Sequence, residues 1–339
     1  MKFIERYMKQ TCAEDPFGDP DGDVILRSCD GIDFRLQTVI LVTKSPIFNA
    51  LFDLPQGHAV GRRNGIPFFC LAEPASVLRH LLQSCYPLHI PGRTTINSIH
   101  EILALLAAAD KYDLSGVDTV ARFAIADSTL MFSHPFDIYV IATQCGWEAE
   151  ASSAARRTLA IGSSLEAPYS QIIQPISRDD RDRLRIYFST CVEAAIEAME
   201  TLVWPHFCSN LTGCHRCRSI SVTVVMVQSP FTSATRRPDS FWEYYLRDVQ
   251  ESLKKRPCGS TALDKDIIDK ALRRRTECSA CCNKSGETVA DDHLRAMGKW
   301  LQAQIDRNIS EIQLMSERVV PGFKRRKMLM IHSNTAWGA

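Results

Sequence analysis

A chain of 339 residues is long enough for about two domains, each able to bury its own core. Lysine and arginine number 40 against 39 acidic residues, a formal net charge of +1, so no global field recruits nucleic acid or an anionic membrane. The hydrophobic share of 45% and charged share of 23% are ordinary globular values. No stretch approaches the roughly 18 apolar residues of a membrane span, and a cytoplasmic or nuclear protein is the expectation.

In chain order, residues 1–20 read as a flexible amino-terminal segment. Asp23-Val-Ile-Leu-Arg and Ile32-Asp-Phe-Arg-Leu-Gln are then short β-type runs, and Ser28-Cys29-Asp30-Gly31 between them has the Asp-Gly signature of a hairpin turn. Val39 to Val42 is a brief apolar helix candidate. Ser45 followed by Pro46 looks like an N-cap with proline at the first helical position, and Phe48, Leu51 and Phe52 then share one helical face. Gly65 to Leu71 offers a third strand, with Pro67 placed at an edge or a strand start.

From Pro74 the apolar period changes to that of a helix. Val77, Leu78, Leu81, Leu82 and Cys85 form one stripe; Ile99, Ile102, Leu103, Leu106 and Ala109 form a second; Val117, Val120, Phe123 and Ala124 a third. Residues 134–162 add two short helices. The fold class expected is α+β, a three-stranded sheet packed with helices over residues 21–130, followed by a helical extension over 131–165.

Asp23-Val with its hairpin, Ser45-Pro-Ile-Phe at the head of a helix, and Ala107-Ala-Ala-Asp-Lys-Tyr-Asp-Leu closing a long helix resemble the BTB/POZ domain. The resemblance is to the fungal branch in which that domain precedes a helical carboxyl-terminal region. It covers about residues 21–162 well and the remainder loosely. One departure stands out: many members carry His-Lys after the second strand, where this chain has Gln37-Thr38. The resemblance implies a non-catalytic association module, commonly a homodimer, that recruits partner proteins. Some family members are substrate adaptors for cullin-type ubiquitin ligases and carry a hydrophobic-x-Glu element after the Ser-Pro helix. Here "LFDLPQG" offers Gln56 and no glutamate.

The residues themselves give no reason to expect an enzyme. Up to Gly162 there is no nucleophile–base pair at motif spacing, no glycine-rich phosphate loop and no paired carboxylates in an apolar setting. His58, His80, His89, His100 and His134 are scattered singly.

Residues 166–320 read as a helical, Cys-rich region. Leu184, Phe188, Cys191, Ala195, Met199 and Leu202 recur at helical spacing after a cap at Ser177. Ser219 to Val227 is a β-type run without an evident partner. Trp242, Tyr245, Leu246, Val249 and Leu253 line one helical face. Leu294, Met297, Leu301, Ile305, Ile309 and Ile312 line another, which needs a cover from preceding helices or a second chain.

Of the 13 cysteines, seven crowd between Cys208 and Cys282. Cys214-His-Arg-Cys217 and Cys278-Ser-Ala-Cys281 are two Cys-x-x-Cys pairs, and such a pair lets two thiolates reach one tetrahedral ion through a tight turn. Together they compose a candidate structural zinc site, with Cys208, Cys258, Cys282 and His293 in reserve. The interval between the pairs is much longer than in an ordinary two-pair site, so unliganded thiols remain the other reading. Basic clusters at Lys254-Lys-Arg, Arg273-Arg-Arg and Lys324-Arg-Arg-Lys read as solvated charge, the last within a flexible basic tail over 321–339 that could serve as a nuclear address. A zinc-stabilised, nucleic-acid-associated regulator is the remaining alternative.

Overall fold

A computed structural model describes residues 11–14, 16–53, 61–86, 96–126, 129–162, 176–200, 240–276 and 287–314, with the side chains of 11, 240–243, 274–276, 287–290, 292 and 293 excepted. The chain is α+β and divides into two units, with the boundary after Glu150. That boundary falls inside the expected extension over 131–165, so its first helices belong to the first unit.

The sheet of the first unit has five strands: β1 (Thr11–Cys12), β2 (Val24–Arg27), β3 (Ile32–Leu36), β4 (Gly61–Arg63) and β5 (Ile66–Cys70), in the order β1-β3-β2-β5-β4. β2 and β3 form the expected antiparallel hairpin, with Gly31 at φ +90° in its turn, a conformation only glycine adopts without strain. The Ser28 hydroxyl accepts the Ile32 N–H at 2.9 Å and locks the same turn.

Three strands are expected and five are found. β4 was hidden because Gly-Arg-Arg has no apolar alternation, yet Asn64 (φ 51°) and Gly65 (φ 82°) form the two-residue left-handed turn that joins it to β5. β1 pairs in parallel with β3 at Thr11–Ile32 and Cys12–Asp33. Part of the amino-terminal segment expected to be flexible is thereby tied down: Phe17 is fully buried against Phe34 and Tyr86, with centroids 6.1 and 5.7 Å away. β5 is an interior strand, and Pro67 is its second residue. Pairing with β2 begins only at Phe68, so the proline falls ahead of that ladder.

Alternation along the strands sorts the two faces. Val24, Leu26, Phe34, Leu36 and Phe69 are buried on the core face. The core continues into α1 (Thr38–Lys44), α2 (Pro46–Asp53), α3 (Ala75–Cys85), α4 (Ile99–Lys111), α5 (Val117–Ala126), α6 (Leu130–Ser133) and α7 (Pro135–Cys145). Ser45 caps α2 as expected: its Oγ accepts the Phe48 N–H at 3.0 Å and donates to the Tyr112 carbonyl at 2.5 Å. Phe48 is fully buried and stacks on Tyr112 at 4.7 Å and 7°. Leu51 and Phe52 are half-buried. The Tyr112 hydroxyl donates to Glu73 at 2.7 Å, and Lys111 Nζ donates to the other oxygen of the same carboxylate at 2.7 Å.

His80, on α3, is 2% exposed, with Nε2 3.6 Å from Glu101 Oε1 on α4. Burial pulls its imidazole below the ordinary histidine range, with Glu101 opposing that pull. The histidine is therefore a core group, as a lone histidine on an apolar helix face usually is.

The second unit is helical throughout its described residues. It contains α8 (Glu148–Ile161) from Ala151 onward, α9 (Arg178–Glu200), α10 (Ser240–Leu253), a 3-10 turn (Gly259–Leu263), α11 (Lys265–Thr276) and α12 (Glu287–Ser310). The α9 stripe, from Leu184 to Met199, is buried as its period requires. Leu294, Met297, Leu301, Ile305 and Ile309 of α12 are covered by α9 and the 3-10 turn of the same chain. That packing depends on two glycines. A Cβ on Gly259 would lie 2.5 Å from the Gln302 carbonyl, and one on Gly298 would lie 2.9 Å from the Ala262 carbonyl. Gly259 N–H donates to Asp306 at 2.9 Å, and the buried Tyr245 hydroxyl donates to the Ala262 carbonyl at 2.6 Å. No helix among the described residues is long and apolar enough to cross a membrane.

Candidate functional site

Two surfaces of the first unit differ from ordinary solvated exterior. The first is built by α1 and α2. Asp23 Oδ1 accepts both the backbone N–H of Thr38 at 2.6 Å and its hydroxyl at 2.8 Å, so the residue just ahead of β2 starts α1 from outside the helix. The sequence Thr-Val-Ile-Leu-Val-Thr-Lys buries only Leu41. Val39 is 63% exposed, Ile40 and Val42 are half-buried, and Ile47 in the first turn of α2 is 43% exposed. Two aliphatic side chains on consecutive helices, Val39 and Ile47, thus face outward, with Ile40 and Val42 partly exposed. Each leaves apolar surface in water at a cost of about 25 cal/mol per Å².

The second surface is the open face of the sheet. Register places Cys12, Asp33, Arg27 and Cys70 side by side in one row across β1, β3, β2 and β5. Arg27 grips Asp33 with two bonds, Nε to Oδ1 at 2.6 Å and a terminal nitrogen to Oδ2 at 3.0 Å. Arg63 reaches the same carboxylate from β4. Both guanidiniums lie over the Phe68 ring, 5.1 and 5.0 Å from its centroid. The bond to Asp33 is the main reason that Arg27 holds its proton above the ordinary guanidinium range. Cys12 and Cys70 are exposed free thiols at the two ends of the row. Sequence alone does not reveal this cluster, because its row runs from Cys12 to Cys70, 70 − 12 = 58 positions apart; the Asn64-Gly65 turn was the one signal pointing to Arg63.

The candidate zinc ligands Cys214, Cys217, Cys278 and Cys281 lie outside the described residues, as do the reserves Cys208 and Cys282, the 219–227 run, Gln56 and the 324–327 basic cluster. His293 lies on α12 with its side chain undescribed. Cys258 is described: its sulfur sits 3.2 Å from the Ser260 hydroxyl and 3.4 Å from that of Thr261, at the start of the 3-10 turn. Among the described residues no group of three or more His, Cys, Asp or Glu side chains is arranged to hold a metal.

Neither surface pairs a nucleophile with a base, and both offer contact area of defined chemistry, aliphatic on the helices and guanidinium-rich on the sheet. No family model, no curated protein and no solved structure matches the chain.

Proposed function

We propose that the first unit is a BTB/POZ-like, non-catalytic association module that joins two copies of the chain through α1 and α2 and so presents paired surfaces to partner proteins. The observation that carries this reading is the aliphatic set of exposed Val39 and Ile47 with half-buried Ile40 and Val42. An apolar patch on consecutive helices gains by meeting its own copy about a two-fold axis, where each side chain finds a like surface. The order of elements supports the same reading: a hairpin, a Ser-Pro-capped helix and a long helix ending in Lys111-Tyr112-Asp113-Leu114. In sedimentation velocity the full chain runs as a dimer at micromolar concentration. A Val39→Glu, Ile47→Glu variant runs as a monomer with unchanged circular dichroism. A parent that is monomeric across the micromolar range, or a variant that sediments with the parent, overturns the proposal.

From spacing alone we extend the reading to one structural zinc held by Cys214, Cys217, Cys278 and Cys281. Four thiolates would close the coordination sphere and leave no position for an activated water, so the ion would add folding free energy and no catalysis. Elemental analysis of full chain expressed with zinc gives one ion per chain, and a Cys214→Ser, Cys217→Ser variant gives none. Equal zinc in both returns these cysteines to the class of ordinary thiols.

A further inference from the structure

Three thiols of the first unit are exposed, Cys12, Cys29 and Cys70, and the fold gives them opposite electrostatic surroundings. Cys70 stands beside Arg27 in the β2–β5 register, with Cys12 at the far end of the same row. Cys29 stands in the β2–β3 turn beside Asp30, and its backbone N–H is held by the Glu73 carbonyl at 3.0 Å.

We propose that Cys70 is a site of mixed-disulfide formation with anionic low-molecular-weight disulfides of the glutathione type, the incoming carboxylates being drawn to the Arg27 and Arg63 guanidiniums on the open face of the sheet.

Geometry excludes the simplest competing fate. Cys12 and Cys70 are three strand spacings apart, about 14 Å, whereas a disulfide needs Cα atoms within about 7 Å. Neither thiol can therefore close a bond with the other inside this sheet. The two arginines supply what such a partner would recognise. They carry two positive charges against the single carboxylate of Asp33, and both lie over the Phe68 ring, 5.1 and 5.0 Å from its centroid. Cys70 and Cys12 both contribute to holding the Arg27 proton, after Asp33, which places the thiols within electrostatic reach of that guanidinium. Cys29 differs on each count: its thiol is pushed up, first by burial and then by Asp30, with Glu73 adding to the same effect.

The reaction balances without a further oxidant. The Cys70 thiolate attacks one sulfur of glutathione disulfide, the external S–S bond breaks, and a protein–glutathione disulfide forms. The second glutathione leaves as a thiolate and takes up the proton that Cys70 released.

The test uses the full chain and two disulfides of opposite charge, glutathione disulfide and cystamine. After timed incubation, acid quench and alkylation, peptide mass mapping reads the modified fraction at each cysteine. Glutathione disulfide modifies Cys70 about threefold to tenfold faster than Cys29, a preference that shrinks as salt is added. Cystamine, which is cationic, erases or reverses that order. Arg63→Gln lowers the glutathione preference and speeds cystamine at Cys70, leaving both rates at Cys29 unchanged. Equal glutathione rates at Cys70 and Cys29, or the same order with both disulfides, overturns the proposal, and both readings come from the parent protein even where the variant is unstable.

Discussion

Phe48→Ala lowers the thermal midpoint and soluble yield of the full chain more than any other single truncation in the first unit. Phe48 is fully buried, lies face to face with Tyr112 and contacts the Phe52 ring at 5.9 Å. Removing a buried phenylalanine ring typically costs about 3–5 kcal/mol, against a total stability of about 5–15 kcal/mol for a domain. The loss also spreads beyond the cavity. Ser45, the cap of α2, holds the Tyr112 carbonyl, and Tyr112 holds Glu73, so the ring stack is one link between α2, α4 and the loop before α3. Phe48→Leu keeps most of the volume without the stacking and falls between parent and alanine. Thermal melts of the three proteins check the order; a Phe48→Ala midpoint equal to the parent's shows that the ring does not carry this junction.

In the second unit the largest effect belongs to Gly259→Val. The new side chain starts 2.5 Å from the Gln302 carbonyl and 2.6 Å from the Asp306 carboxylate, so α12 must move or the 3-10 turn must open. Overpacking of this kind costs about 1–3 kcal/mol. The turn also loses the Gly259–Asp306 hydrogen bond if it swings away. Asp306→Ala isolates that second contribution, because it leaves the N–H without its acceptor at about 1–3 kcal/mol and introduces no clash. Urea unfolding followed by hydrogen exchange at α12 amides reads both. Unchanged protection in Gly259→Val removes the close approach from the account.

Local signals and long-range ones fared differently in the sequence. The hairpin was legible because Asp30-Gly31 sits between two alternating runs, and the head of α2 because Ser45-Pro46 is both a cap and a start. The α12 stripe was legible from its period, and its cover turned out to be α9 and a 3-10 turn. That turn gave no warning, since Gly-Ser-Thr-Ala-Leu has neither helical nor strand period. Phe17 was hidden among Asp, Pro and Gly, where one aromatic residue outweighed the composition. The aliphatic outer side of α1 could be read as apolar but not as exposed, since hydrophobicity states what a residue prefers and only packing decides whether it is granted. The arginine row offered no signal beyond the Asn64-Gly65 turn beside Arg63. Arg27, Asp33, Arg63 and Phe68 become neighbours only once β5 is known to lie beside β2.

That same neighbouring sets an order in time. The β2–β3 hairpin joins residues a few positions apart and can form within about 1–10 μs of its chain becoming free. The parallel rung from Ile25 to Phe68 spans 43 positions and must await α1, α2 and the β4–β5 turn. During synthesis, at about 5–20 residues per second, the Val-Ile-Leu edge of β2 therefore waits seconds for its partner strand to leave the ribosome. In that interval the nascent chain carries a bare apolar strand edge that only a chaperone, or a wrong strand, can cover.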